Sequence, residues 1–232
     1  MITIPAEAGL NAATVVADSE ALAQGVAEHL LKLSEEAVAT RRAFHLALAG
    51  GSTPRRCYEL MRDMPFPWPD IHVYFGDERC LPVGHAERND TMAENTLLQH
   101  VPIPAKQIHR IPAELGPIKG GAGYNQLLHN LTLDVVLLGI GEDGHTASLF
   151  PGNPALRDMR DVVPVFDAPK APPERISLGY PAIQRARHCL IMAAGEGKCE
   201  ALSRIHNGEP LPVAAITQAV WFLDQQAASC LR

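Results

Sequence analysis

The stretch from Gly139 to Thr146 contains the residues best suited to acid–base chemistry. It reads Gly-Ile-Gly-Glu-Asp-Gly-His-Thr and follows the most apolar run in the chain. The imidazole of His145 has an ordinary pKa of about 6.5, so at neutral pH it can accept a proton from water. Asp143 could orient that imidazole or hold a substrate hydroxyl. The alternative is a structural histidine, which is the commoner role of a single histidine.

The same stretch also matches the Gly-x-Gly-x-x-Gly fingerprint of dinucleotide-binding proteins. That fingerprint needs a helix that opens within it, followed by a strand that ends in an acidic residue. Val162–Phe166 and Asp167 could supply the strand and the acid, but two prolines and a glycine at 151–154 interrupt the helix. The two acids of the loop would also repel a pyrophosphate. A dinucleotide site is therefore disfavoured, and adding NADP to the purified protein would test it.

A second loop, at 50–53, has the composition of an anion site. Gly50 and Gly51 follow a predicted strand, and Ser52 and Thr53 lead into a predicted helix with Pro54 near its first turn. Glycines let the backbone approach an anion, and the free N–H groups and helix dipole then face it. The alternative is a tight turn with a helix cap. The loop is not a P-loop, because it lacks the lysine and the spacing.

Charged residues follow the next predicted strand. Asp77, Glu78 and Arg79 lie at the carboxyl end of Ile71–Phe75, where parallel sheets bind ligands. Arg88 and Asn89 come shortly afterwards at the start of a predicted helix. The alternatives are a solvated turn with a local ion pair at 77–79 and a simple helix cap at 88–90.

Two further cations stand at element boundaries. Arg175 begins a predicted strand, and Lys198 follows Gly195-Glu-Gly197 at the start of a predicted helix. A lysine at a helix N-terminus opposes the helix dipole. A bound anion would remove that conflict, so Lys198 is a candidate phosphate ligand. An exposed lysine without a ligand is the alternative.

Composition excludes several other classes of function. The net charge of −6 argues against binding to nucleic acid or to an anionic membrane surface. The ten histidines form no His-Glu-x-x-His motif and no close Cys/His cluster, so we expect no metal and no other cofactor. Five irregularly spaced cysteines predict reduced, mostly buried thiols. With no signal peptide and no membrane span recognised, we expect a cytoplasmic protein, either a monomer or a weak homo-oligomer.

The elements that must position these loops alternate between strands and helices. This alternation predicts an α/β fold with a central, mostly parallel sheet flanked by helices, in a single domain over 1–232. Ser19 is expected to cap the first helix. The predicted strands are Val15–Ala17, Phe44–Ala49, Ile71–Phe75, Leu133–Ile140, Val162–Phe166, Arg175–Tyr180, His188–Ala194 and Val220–Asp224, with a short extended segment at Ile108–Ile111. The predicted helices are 19–38, Pro54–Met61, Asn89–His100, Gly121–Asn130 and Lys198–His206.

Taken together, the loops resemble those of the 6-phosphogluconolactonase family. The matching stretches are Leu48-Ala-Gly-Gly-Ser-Thr-Pro54, Phe75-Gly-Asp-Glu-Arg79, Arg88-Asn89, Leu137-Leu-Gly-Ile-Gly-Glu-Asp-Gly-His-Thr-Ala-Ser-Leu-Phe-Pro151, Arg175-Ile-Ser-Leu178 and Gly195-Glu-Gly-Lys198. Order and spacing match from about residue 10 to the C-terminus. In the related deaminases a Glu stands where this chain has Phe150, and a Tyr stands where it has Arg79. Both departures favour the lactonases. Residues 83–86 depart mildly from the lactonase pattern.

The resemblance implies a Rossmann-like fold related to glucosamine-6-phosphate deaminase and ribose-5-phosphate isomerase. It also implies hydrolysis of 6-phosphoglucono-1,5-lactone in the oxidative pentose phosphate pathway, with this sugar-phosphate lactone as the small-molecule partner. In our hypothesis His145 is the general base that activates water, and Asp143 fixes the imidazole or the substrate. Arg79 and backbone N–H groups of 141–145, Gly144 among them, face the developing oxyanion.

The hypothesis places the phosphate away from the chemistry. It is held by the 50–53 loop, Arg175 and Lys198, with Arg88 as a possible further ligand, and Asp77 and Asn89 bind the substrate. No Gly-x-Ser-x-Gly elbow is present, so a covalent acyl-enzyme is disfavoured. The alternatives are an isomerase or amino-sugar deaminase that uses Asp77 as its base, and a non-catalytic sugar-phosphate sensor that has no use for His145.

Overall fold

The computed structural model describes residues 2–4 and 13–231. Within these residues the strands are β1 (Ile2–Ile4), β2 (Ala13–Val16), β3 (Phe44–Leu48), β4 (Ile71–Phe75), β5 (Asp77–Arg79), β6 (Val135–Gly139), β7 (Val162–Val165), β8 (Arg175–Leu178), β9 (His188–Ala193) and β10 (Ala219–Asp224). The α-helices are α1 (Ser19–Arg41), α2 (Ser52–Met61), α3 (Asn89–Thr96), α4 (Gly116–Leu128), α5 (Tyr180–Arg185) and α6 (Cys199–His206).

Seven strands form the main sheet in the order β1-β2-β10-β9-β6-β3-β4. Every neighbouring pair from β2 to β4 is parallel, and β1 joins antiparallel at the edge. The central strands read as continuous apolar runs because helices cover both faces of a parallel sheet. The predicted α/β class with a mostly parallel sheet is confirmed.

The strand order reverses direction between β3 and β6. From β3 the chain crosses to β4 on one side, whereas β6 lies on the other side of β3 and leads on to β9. The loops that leave β3 and β6 therefore diverge and open a crevice at the carboxyl ends of these strands. In open α/β sheets ligands bind at such a switch point. The fold thus directs the search for a site to the loops that begin at Ala49 and Ile140.

Helix α1 shows how the sequence covers one face of this sheet. Leu22, Val26 and Leu30 recur every fourth residue and are fully buried, and the helix packs against α2 and β10. The N-cap is Asp18, whose carboxylate accepts the N–H of Ala21 at 2.8 Å. The expectation that Ser19 caps this helix was therefore wrong by one residue.

A second sheet departs from the prediction of parallel pairing. Strands β5, β8 and β7 form a three-stranded antiparallel sheet. Residues 166–174 connect β7 to β8 without a helix, and so short a connection permits only antiparallel pairing. The strand predicted to run to Tyr180 ends at Leu178, because Pro181 stands in the first turn of α5, which the sequence reading missed.

Several predicted boundaries also shift. The helix expected to reach His100 ends at Thr96 and continues as a separate 3-10 turn, Leu98–His100. Helix α4 begins at Gly116, before the predicted start. The extended segment at 108–111 contributes one bridge, between Ile108 and Val73, and no strand of its own.

The cysteines do not all remain thiols. Cys199 and Cys230 form a disulfide with their Cα atoms 5.3 Å apart, which corrects the expectation of five reduced thiols. Cys57, Cys80 and Cys189 are free. Irregular spacing in the sequence gave no sign of this pair, because the C-terminal segment reaches the start of α6 only in the folded chain. None of the helices in the described part of the chain is long and apolar enough to span a membrane.

Candidate active site

A cavity of about 320 Å³ opens at the switch point between β3 and β6. Its volume is within the range of about 300–1,000 Å³ that is usual for small-molecule sites. Eight of the thirteen predicted site residues line it: Gly50, Gly51, Asp77, Arg79, Asn89, His145, Arg175 and Lys198. The fold therefore brings the imidazole, one carboxylate and three predicted cations around a single crevice.

His145 and Asp143 form a hydrogen-bonded pair on the loop after β6. Nδ1 of His145 lies 2.5 Å from Oδ1 of Asp143, and the imidazole packs against Phe150 with ring centroids 4.5 Å apart. An ionised carboxylate can only accept hydrogen bonds, so Nδ1 carries the hydrogen. The neutral ring therefore has its lone pair on Nε2. This geometry places Asp143 as the group that orients the imidazole.

Burial and charge act in opposite directions on this pair. Burial lowers the pKa of His145, and the hydrogen bond and charge of Asp143 only partly offset it. Burial raises the pKa of Asp143, but the hydrogen bond and charge of His145 outweigh that effect and leave it below its ordinary value. At neutral pH the imidazole is therefore uncharged and the carboxylate ionised. A side chain that is 17% exposed remains within reach of water.

Two glycines shape the loop that carries this pair. A Cβ atom on Gly141 would lie 2.0 Å from Nδ1 of His145, so only glycine leaves room for the imidazole. Gly144 has a φ of +82°, and a Cβ there would collide with Leu211. Gly144 was predicted to bind substrate. It does not line the cavity, and its position is explained by the turn.

The backbone N–H groups of this loop are largely used within it. Gly141 donates to the carbonyl of His145 at 2.8 Å, and Gly144 donates to the carbonyl of Gly141 at 3.0 Å. The N–H of His145 donates to Asp143 at 3.2 Å. The expectation that the backbone of 141–145 forms the oxyanion site is therefore wrong for these three N–H groups. Arg79 remains a candidate from that hypothesis.

Asp77 is held in place from two sides. Its Oδ2 accepts the hydroxyl of Ser148 at 2.6 Å, and its Oδ1 accepts Nδ2 of Asn89 at 3.0 Å. Asn89 fits because its neighbour is Gly50, where a Cβ would lie 2.0 Å from the amide oxygen. The buried hydroxyl of Ser148 thus acts as a donor to a carboxylate. The sequence reading missed this partner, although Ser148 stands in the most distinctive stretch of the chain.

Arg88 does not reach the cavity, contrary to the prediction that it binds phosphate. Its side chain is 1% exposed and forms a two-pronged pair with Asp90, at 2.9 and 2.7 Å. It also donates to Glu114 and to the carbonyls of Leu81 and Ile111. Each of the three guanidinium nitrogens therefore donates a hydrogen bond to an acceptor within the protein. Its role is to hold together the segments around 81, 90 and 111.

Glu78 explains how α3 begins. Its carboxylate accepts the N–H groups of Asn89 and Asp90 at 2.7 and 2.8 Å, and so caps the helix from a distant strand. Burial raises the pKa of Glu78 to about 7, although these N–H groups favour the ionised form. Asp77 and Glu78 are thus buried residues of β5, which rules out the solvated turn.

Only the first two residues of the 50–53 loop line the cavity. Gly50 and Gly51 line the cavity, whereas Ser52 is exposed at the start of α2 and Thr53 also lies outside the cavity lining. The prediction that both hydroxyls bind phosphate is not supported by these positions. The backbone of the loop, with Gly51 at a φ of +114°, is the part that faces the crevice.

Four cationic side chains line the cavity: Arg79, Arg175, Lys198 and Lys170. Nη1 of Arg79 donates to the carbonyl of Glu87, while its buried Nε has no hydrogen-bond partner among the described residues. A buried donor without a partner is costly, and a bound acceptor would satisfy it. The sequence reading missed Lys170, because it stands in a proline-rich stretch without periodicity. Nothing in the sequence around Lys170 indicated that it would line a cavity.

The described residues contain no group of three or more His, Cys, Asp or Glu side chains arranged to hold a metal ion. The prediction of a reaction without metal or cofactor stays a prediction.

The fold and the cavity define an α/β protein with a cationic ligand site and a histidine–carboxylate pair at its topological switch point. A sequence profile described as glucosamine-6-phosphate isomerases/6-phosphogluconolactonase matches residues 17–223. The chain belongs to this family.

Individual relatives agree with the family. The chain is 35% identical to a 6-phosphogluconolactonase of Streptomyces coelicolor, with 92% of each protein covered. It is 36% identical to a probable chloroplastic 6-phosphogluconolactonase 3 of rice, over 91% of this chain and 73% of that protein. Among solved structures, the 6-phosphogluconolactonase of Trypanosoma brucei superposes with a TM-score of 0.83 at 25% identity, covering 95% of this chain and 98% of that one.

Proposed function

We propose that this protein hydrolyses 6-phosphoglucono-1,5-lactone to 6-phosphogluconate, a step of the oxidative pentose phosphate pathway. One observation carries the proposal. An uncharged imidazole, oriented by a carboxylate, lines the same crevice as Arg79, Arg175 and Lys198. A lactone with a phosphate at its far end needs this combination of a base and separate cations. The names of the relatives in the same family support the same reaction.

The reaction begins with His145 as general base. Nε2 takes a proton from water, and the hydroxide attacks the lactone carbonyl. Negative charge develops on the carbonyl oxygen, where the guanidinium of Arg79 stabilises it. The tetrahedral intermediate then collapses, the ring oxygen leaves, and the imidazolium returns the proton to it. The products are a carboxylic acid, which loses its proton to solvent at neutral pH, and a free hydroxyl, and the base is regenerated without a covalent enzyme intermediate.

Asp143 and Asp77 have different tasks in this scheme. Asp143 keeps the hydrogen on Nδ1 and stabilises the imidazolium that forms. Asp77, which is held in place by Ser148 and Asn89, accepts a hydrogen bond from a hydroxyl of the sugar. The cationic part of the cavity binds the phosphate away from the carbonyl. That grip holds the ring in position for attack and so turns binding energy into rate.

The proposal is tested with lactone made freshly by glucose-6-phosphate dehydrogenase. The lactone is offered to the protein, formation of 6-phosphogluconate is followed through its dehydrogenase, and spontaneous hydrolysis is subtracted. We expect hydrolysis well above the spontaneous rate. Release of ammonia from glucosamine 6-phosphate is measured in parallel. Ammonia release without lactone hydrolysis would favour the deaminase alternative and overturn the proposal.

The proposal includes assembly and location. Residues 13–231 share one continuous buried core, which supports a single domain over 1–232. We infer that it acts as a monomer or a weak homo-oligomer in the cytoplasm. Size-exclusion chromatography with light scattering tests the first inference, and cell fractionation tests the second. The printed name of the rice relative places that protein in the chloroplast, so family members are not confined to one compartment.

A further inference from the structure

The guanidinium of Arg175 is bound mainly to backbone carbonyls of its own neighbourhood. Nε donates to the carbonyl of Pro172 at 3.1 Å, and Nη2 donates to those of Lys170 and Ala171 at 2.9 and 3.3 Å. The same group lies over the ring of Phe150, 5.4 Å from its centroid. The residue is only 5% exposed. Arg175 therefore fastens residues 170–172 at the cavity.

The fastened segment presents Lys170 to the cavity. Lys170 and Ala171 both line it, although Lys170 is otherwise exposed. Burial lowers the pKa of His145 and of Lys198, the neighbouring carboxylates Asp143 and Glu142 raise it in turn, and the charge of Lys170 is a smaller lowering effect on each. Lys170 thus lies within electrostatic reach of the base and of the predicted phosphate ligand.

The cations of the cavity fall into two groups. Arg175 has Arg79 as a cationic neighbour and Asp77 as an anionic one, which partly neutralises it. Lys198 has Glu142 as an anionic neighbour and Lys170 as a cationic one. Two ammonium groups that repel each other in the free protein suit a phosphate monoester, whose charge at neutral pH is about −1.5 to −2. A bound phosphate removes that repulsion.

We propose that Lys170 is a specificity-determining residue that binds the substrate phosphate together with Lys198, and that Arg175 is the positioning residue that holds the loop of Lys170 in place. The inference rests on the proposed function for the identity of the substrate. It moves the direct contact with phosphate from Arg175 to a residue that no sequence motif marks.

The first test is equilibrium binding of the product, 6-phosphogluconate, measured by calorimetry. Lys170→Met keeps most of the side-chain stem and removes the charge. A hydrogen bond to a charged group is worth enough to weaken binding by about 10- to 100-fold. Lys119→Met, on the exposed face of α4 and outside the cavity, is the matched control and should bind as the wild type does. Unchanged binding by Lys170→Met would overturn the inference whether or not the protein is a lactonase.

The second test separates positioning from direct contact. If Arg175 acts through Lys170, the double variant Lys170→Met/Arg175→Met binds product about as weakly as Lys170→Met alone, because the two changes remove one interaction. Additive losses would show that Arg175 contacts the phosphate itself and would overturn its positioning role. In turnover, Lys170→Met should lower kcat/KM for the phosphorylated lactone by a similar factor. A wild type without lactonase activity would refute the proposed function and leave the binding result to stand.

Discussion

Replacing Gly141 by alanine tests whether turnover depends on the position of the His145 imidazole. The added Cβ would lie 2.0 Å from Nδ1 and 2.2 Å from Cε1 of His145, and 2.5 Å from Oδ1 of Asp143. Unbonded carbon and nitrogen atoms pack at about 3.5–4.0 Å, so the imidazole must move by about 1 Å or more. The added Cβ would collide with the imidazole ring and the carboxylate themselves, so these groups must move to make room for it.

The magnitude follows from the sensitivity of proton transfer to position. A displacement of about 1 Å costs on the order of 10²-fold in rate, and loss of a general base costs roughly 10²–10⁴. We therefore expect kcat of Gly141→Ala to fall by about 10²–10³, or about 3–4 kcal/mol in the activation barrier. KM should change little, because the lysines that grip the phosphate lie on other loops.

The assay is the coupled measurement with freshly formed lactone, alongside thermal unfolding to show that the variant is folded. Gly25→Ala is the matched control, since a Cβ at that position in α1 meets nothing within 4 Å. It should keep kcat and gain slightly in stability, as alanine favours helix over glycine. A folded Gly141→Ala protein with a kcat close to that of the wild type would refute the reasoning about the His145–Asp143 pair.

Four further outcomes are expected. Burial lowers the pKa of His145 and the base works only when deprotonated, so kcat/KM should be full at neutral pH and fall only below about pH 6.5; an acid limb above pH 7 would contradict this. Lys198→Ala should mainly raise KM, and an unchanged KM would remove it from the phosphate site. Arg88→Met leaves buried carboxylates unpaired and should lower the free energy of unfolding by about 3–5 kcal/mol in urea titrations, whereas a raised KM with normal stability would make it a ligand after all. Thiol titration of the denatured, unreduced protein should find three thiols, and five would refute the Cys199–Cys230 bond.

The sequence predicted the parts of the fold that depend on local pattern. Apolar strand-length runs such as Ile71–Phe75 and Val135–Gly139 stand out because both faces of a parallel sheet are buried. The switch point then brings the loops after β3 and β6 together, which is why the sequence predicted so many of the residues that line the cavity. Pairing direction in the small sheet was predicted wrongly, because β5 is only three residues long and the 166–174 connection has no periodic pattern.

The errors in the site share one physical cause. Arg88 and Arg175 were both predicted to bind phosphate; Arg88 does not reach the cavity, whereas Arg175 lines it. A sequence does not show which acceptors surround a guanidinium. Arg88 met carboxylates from 90 and 114, and Arg175 met carbonyls of 170–172. Lys170 was missed for the same reason, since its place at the cavity is fixed by those carbonyl contacts. Long-range partners of charged side chains, unlike strand patterns, become visible only in the folded chain.

The most direct test of the account compares turnover and binding in His145→Ala. We expect kcat for 6-phosphoglucono-1,5-lactone to fall by roughly 10²–10⁴ while 6-phosphogluconate binds nearly as well as to the wild type. That result would show that His145 serves catalysis, whereas other residues of the same cavity bind the phosphate. Turnover close to that of the wild type would contradict the account, because no base would then be needed at position 145.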